Sequence, residues 1–152
     1  MLSDQRDLLS LFNAYAVEYV VVGGYAVNAH GVPRLTKDLD LFIRSSEANS
    51  ERVYRALAAF GAPVAGLSPA DFHGSPDGIF QLGVEPDRVD ILQSIDGVTF
   101  EQAWESRVPF SVDDQVEAPF LSRENLVRNK IASGRLQDLA DADHLRKMAK
   151  ED

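Results

Sequence analysis

The stretch RLTKDLDLFI, residues 34–43, places Asp38 and Asp40 one residue apart inside an apolar run. Side chains alternate along a strand, so Asp38, Asp40 and Phe42 share one face while Leu39, Leu41 and Ile43 share the other. Two carboxylates at this spacing lie about 6.5–7 Å apart at Cα, close enough to repel each other and well placed to converge on one or two divalent cations. A hard cation fits such donors. Magnesium takes one or two carboxylates together with substrate phosphates, and a pair of ions about 3.5–4 Å apart can be bridged by such side chains. The alternative is an edge strand whose aspartates keep its outer face wet.

RVDIL, residues 88–92, repeats the pattern with a single acid: Arg88, Asp90 and Leu92 fall on one face and Val89 and Ile91 on the other. If this strand neighbours DLDLFI, three acids meet. Asp87 has the opposite parity and reads as a turn residue. Upstream, the β-branched run EYVVV ends at Gly23-Gly24 and passes into a helical stretch. Glycines at such a turn let the backbone approach a ligand, and free N–H groups at a helix start favour phosphate; an ordinary strand-to-helix turn is the alternative.

The elements that must position these residues follow from periodicity and punctuation. Residues 4–17 carry Leu8, Leu9, Leu11, Phe12 and Tyr15 at helical spacing, which predicts an amphipathic helix. Strands are expected at 18–22 and 38–43, with a short helix between them stopped by Gly31 and Pro33. A helix at 47–60 closes on Gly61 and Pro63, and the segments 78–84 and 88–93 read as a hairpin around EPD. A helix at 99–106, the strand pair RVPFSV and VEAPFL, and helices at 122–133 and 136–150 complete the chain, with Ser122 as N-cap and Gly134 as stop. The expected fold class is α+β (α/β-like), a mixed sheet with helical cover. One domain is expected over residues 1–152, with a sheet core over about residues 1–115 and a C-terminal strand and helices over about 116–152.

The 152 residues include 45% hydrophobic and 26% charged residues, ordinary globular usage. There are no cysteines, which excludes thiolate metal sites and cysteine nucleophiles. The start MLSDQRDLLSLF lacks signal-peptide order and no apolar run is long enough for a membrane span, so no membrane partner and a cytoplasmic location are expected. A net charge of −9 repels phosphate at long range, so tight binding to long nucleic acid is not expected. Local basic groups stand out at Arg123, Arg128, Lys130 and Arg135 and at Arg34 and Lys37; solvated surface is their plain alternative. Lys130 falls within the apolar stripe of its helix, between the directions of Leu126 and Val127, so it must find an anion or snorkel. Asp138 and Asp141 read as helix-start or salt-bridge residues. His30, His73 and His144 are scattered and are assigned no metal role.

VVGGYAVNAHGVPRLTKDLDLFI followed by RVDIL resembles the nucleotidyltransferase superfamily with the polymerase-beta type fold. Arg34 and Thr36 before the acids, and LVRNKIASGRLQDLADADHL further on, resemble its small prokaryotic branch, which includes abortive-infection-type nucleotidyltransferase toxins and minimal nucleotidyltransferases. The resemblance implies a mixed sheet and a nucleoside triphosphate held at Gly23 and Gly24. Asp38 and Asp40 would bind two magnesium ions, with manganese as an alternative, and Asp90 would complete the catalytic set at the ion that activates the attacking hydroxyl. Arg34, Lys37 and Lys130 are the candidate nucleotide contacts. The expected reaction moves a nucleoside monophosphate from an NTP, with ATP among the candidates, to an acceptor hydroxyl on a protein, a tRNA or a small molecule, in a toxin–antitoxin or defence setting with a cognate toxin or antitoxin partner. The large second domain that presents the acceptor in many relatives has no counterpart in these residues. Two other readings remain open: a catalytically silent member that binds a partner or nucleotide, and a D-x-D sugar-nucleotide glycosyltransferase, which leaves the glycine pair and Asp90 unexplained.

Overall fold

The computed structural model of the chain describes residues 1–36, 38–84 and 87–151. Its strands β1 (Tyr19–Val22), β2 (Leu39–Ile43), β3 (Ile79–Leu82), β4 (Val89–Leu92), β5 (Val108–Ser111) and β6 (Glu117–Phe120) form one sheet in the order β3-β4-β2-β1-β6-β5. The sheet is mixed: β2 runs parallel to β4, and β1 parallel to β6, while the β1–β2, β3–β4 and β5–β6 pairs are antiparallel. The helices are α1 (Ser3–Ala14), α2 (Gly23–Ala29), α3 (Glu47–Phe60), α4 (Phe100–Glu105), α5 (Arg123–Ser133) and α6 (Leu136–Glu151), with a 3-10 turn at Pro69–Phe72. The fold is therefore the expected α+β class, and both hairpins form. The 3-10 turn is an addition, and part of the EPD connection lies outside the described residues. Among the described residues no helix is long and apolar enough to cross a membrane.

The two central strands are where the apolar pattern is densest. All four residues of β1 are buried, as are Leu39, Leu41 and Ile43 of β2, each worth about 1.5–3 kcal/mol when withdrawn from water. Helices α1 and α3 pack on one another and bury Leu8, Leu9, Phe12, Val53 and Leu57 in the same core. On the Asp40 and Phe42 side of β2, the Phe42 ring meets Phe100 of α4 edge to face at 5.2 Å. Buried Asn49 pins the lower ends of β1 and β2: its amide donates to the carbonyls of Glu18 (3.0 Å) and Arg44 (2.9 Å), and its oxygen accepts from the Glu18 N–H at 2.7 Å. The upper ends, Val22 and Asp40, are thereby held in fixed register. Ser122 caps α5 by accepting from the Asn125 N–H, and Gly134 ends it in the left-handed conformation (φ 72°) before α6 folds back onto it.

Candidate active site

Strand register decides the geometry of the acids. Asp40 lies directly opposite Asp90 across the parallel β2–β4 pair, so the two carboxylates share a face on neighbouring strands about 4.8 Å apart. Asp38 precedes β2 and reaches the same cluster through Arg88: the Arg88 Nη2 donates to Asp38 Oδ2 at 2.7 Å, and its Nε lies 3.3 Å from Asp90 Oδ1. Three acids from two separate segments thus gather at one end of the sheet, the arrangement expected if the two strands were neighbours. Arg88 is the added participant. Its shared parity with Asp90 was legible, but its partnership with Asp38 depends on the strand pairing.

The glycine pair is fitted against this cluster. Gly23 has φ +70°, and a Cβ built on it would collide with the Asp40 carboxylate; a Cβ on Gly24 would lie 2.5 Å from the Thr36 hydroxyl oxygen. The backbone turn therefore touches the side chains of the following acidic segment, and a larger residue at either place would have to displace Asp40 or Thr36, with backbone strain added at Gly23.

Crowding shows in the electrostatics. Asp40 is pushed up to about 7, first by burial and then by the charges of Asp90 and Asp38, against the opposing pull of Arg88 and Lys130. The Asp90 carboxyl is also raised, chiefly by burial and further by Asp38, while Arg88 and a hydrogen bond with Asp40 act the other way. Asp38 Oδ1 and Asp90 Oδ1 are buried with no hydrogen-bond partner. Orphaned carboxylate oxygens converging from two strands are donors suited to a hard cation, and in this respect the residues fit magnesium. Among the described residues no three His, Asp or Glu side chains form a finished metal cage, and Arg88 stands between two of the candidates. A site completed by substrate phosphates needs no such cage.

A cleft of about 360 Å³ opens beside Asp40; Val22, Gly23, Asp96, Lys130, Arg135 and Asp138 are among its lining residues. Lys130 is buried, as its place in the apolar stripe required, but its anions are Asp138 (3.2 Å) and Asp141 (3.5 Å) of α6. These two aspartates are themselves buried, and each has a second cation: Arg135 reaches Asp138 at 2.7 Å, and Arg34 is bonded to Asp141. Arg34 thus joins the cluster indirectly, by tying the segment before β2 to α6. Lys37 lies outside the described residues. The basic group around Arg128 is not a free patch: Lys130 is buried, and Arg128 pairs with Glu124 at 2.9 Å. His30 is also buried, against the Leu121 carbonyl at 2.8 Å, away from the acids. A larger groove of about 710 Å³ at the other end of β1, where Arg107 lies over the Trp104 ring at 3.7 Å, contains none of the three acids.

A mixed sheet whose acid-x-acid strand lies parallel to a single-acid strand, with a glycine turn closed onto the first pair, defines a nucleotidyltransferase-type fold. Comparison with known proteins agrees. Residues 3–148 match the model of the family described as "Nucleotidyltransferase of unknown function (DUF6036)", and the chain belongs to that family. A search of the curated proteins finds no match. The crystal structure of a Thermotoga maritima protein proposed to be a nucleotidyltransferase superposes with a TM-score of 0.56 at 19% identity, covering 97% of this chain and 91% of that one, a likeness of fold.

Proposed function

We propose that the protein is a magnesium-dependent nucleotidyltransferase that moves a nucleoside monophosphate from an NTP to an acceptor hydroxyl on a protein, a tRNA or a small molecule. The observation that carries this reading is the Asp40–Asp90 register, which puts two carboxylates side by side with Asp38 close by and Gly23 packed against Asp40. In the reaction an acceptor oxygen attacks the α-phosphorus, a new P–O bond forms, the bond to the β-phosphate oxygen breaks, and pyrophosphate leaves with its electron pair. Asp38, Asp40 and Asp90 would hold the magnesium ions, which when bound neutralise the triphosphate and make the attacking hydroxyl more acidic. Asp90 takes the acceptor proton, directly or through water. Gly23 and Gly24 let the turn close onto Asp40 and Thr36 and so set its backbone beside the acids where the triphosphate would lie, and Lys130, lining the adjoining cleft, supplies positive potential there.

The acidic body favours a compact acceptor over long nucleic acid, and the resemblance to the small prokaryotic branch supports a place in a toxin–antitoxin or defence system. The test is label transfer: α-labelled NTPs, magnesium and cell extract are incubated with the wild type and with Asp90→Asn. Label should move to one acceptor class with pyrophosphate release, only with the wild type. Equal labelling by both proteins would sink the assignment. A second reading, a member that binds nucleotide without transferring it, is favoured by one feature: Arg88 and the α6 aspartates already occupy the charges a nucleotide complex would use. Nucleotide binding without pyrophosphate release for any acceptor would select it.

A further inference from the structure

We propose that Arg88 is the resident counter-cation of the acid cluster, holding Asp38 and Asp90 while metal is absent and surrendering them when a divalent cation arrives with a nucleoside triphosphate, whose phosphate oxygens become the new partner of its guanidinium. The inference rests on the metal-site reading above and adds a control on it. One guanidinium contacts acids from two segments, Asp38 at 2.7 Å and Asp90 at 3.3 Å. The Asp38 contact is a well-formed hydrogen bond, whereas Arg88 Nε and Asp90 Oδ1 approach without forming one, and both atoms are buried and otherwise unpartnered. The grip is thus tight on one acid and loose on the other.

A guanidinium and a divalent cation on the same carboxylates repel each other, so metal binding must displace Arg88 or bear that repulsion. The side chain has room to leave, being 31% exposed, and its fork of donors matches phosphate oxygens as well as it matches carboxylate. Its backbone is fixed independently, because the Arg88 carbonyl accepts from the Leu39 N–H at 3.0 Å and from Gln5 Nε2 at 3.3 Å. The side chain can therefore swing without disturbing the β2–β4 pairing. Metal alone should bind weakly, and metal with triphosphate should bind well. Such coupling would keep the acids from capturing a divalent ion unproductively.

The test is Mn2+ binding followed by electron paramagnetic resonance for the wild type, Arg88→Gln, and each combined with Asp40→Asn, with and without a non-hydrolysable ATP analogue. Without nucleotide, Arg88→Gln is expected to bind Mn2+ at least ten-fold more tightly than the wild type, and its metal-free form to melt at a lower temperature. The analogue should improve Mn2+ affinity several-fold more in the wild type than in the variant. Should Arg88→Gln fail to fold, Arg88→Lys, whose single ammonium cannot span both acids, is expected to bind Mn2+ about three-fold more tightly than the wild type. Mn2+ binding that depends on Asp40 but is equal or weaker in the Arg88 variant overturns the counter-cation role and leaves the metal site standing. Absence of any binding that depends on Asp40, in every protein and with the analogue present, overturns both.

Discussion

Replacing Lys130 with methionine probes the buried charges that join α5 to α6. Lys130, Asp138 and Asp141 have side chains only 7%, 3% and 3% exposed, so water does little to screen them. The substitution removes two contacts to ionised carboxylates, each worth about 1.5–3 kcal/mol. It does not leave either acid unpaired, since Arg135 and Arg34 remain, so the loss should stay below the combined figure. A cost of about 3 kcal/mol is expected, at the lower edge of that for breaking a buried ion pair, with the methionine filling the space of the lysine stem. For a chain of this length that corresponds to a fall in Tm of about 6–12 °C. Urea denaturation at pH 7 measures it. The pH dependence supplies a second check. Burial would raise the Asp138 carboxyl, but the bonds from Arg135 and Lys130 outweigh it and hold it below the ordinary carboxylate range. Stability from this group is therefore full above its unfolded value of about 3.9 and is lost as pH falls through the lower folded value. The difference between wild type and Lys130→Met should accordingly be largest at neutral pH and shrink in acid. A cost under about 1 kcal/mol at pH 7, or one unchanged after the carboxylates have protonated, would refute the assignment of Lys130 to these acids.

Two further outcomes are expected. Ala16 ends α1 with φ 57°, a conformation that costs a residue with a Cβ about 1–2 kcal/mol, so Ala16→Gly should raise stability by about 0.5–1 kcal/mol in urea after the entropy of the added glycine is deducted. Asp40 is raised to about 7 in the metal-free protein, so the folded chain holds a proton there that the unfolded chain has released; stability falls as pH rises from about 4 to 7 and levels off above. Asp40→Asn should flatten that decline and stabilise the metal-free protein at pH 8, read as a higher Tm, and a variant less stable than wild type there would contradict the crowding of the three acids.

The amino-acid sequence by itself determined the elements, because buried strands and amphipathic helices write their periods directly: VVV before Gly23-Gly24, the alternation in DLDLFI and RVDIL, Ser122 and Gly134 around α5. It also determined that Asp38 and Asp40 lie on the opposite side of their strand from Leu39 and Leu41, and Asp90 on the opposite side from Val89 and Ile91, since parity follows from local geometry alone. Only the tertiary structure decided that β2 and β4 are neighbours in the register Asp40–Asp90, and so that Arg88 reaches Asp38 fifty positions away. The same limit explains Lys130: its need for an anion was local, but the identity of that anion was fixed by the way α6 folds back on α5. Asp138 and Asp141 carry no local mark of burial, because a short acidic residue near a helix start reads the same whether it meets water or a buried ammonium. Periodicity records which side of an element is dry; which charges meet across that dry space depends on contacts between distant segments, and these leave no period in the chain.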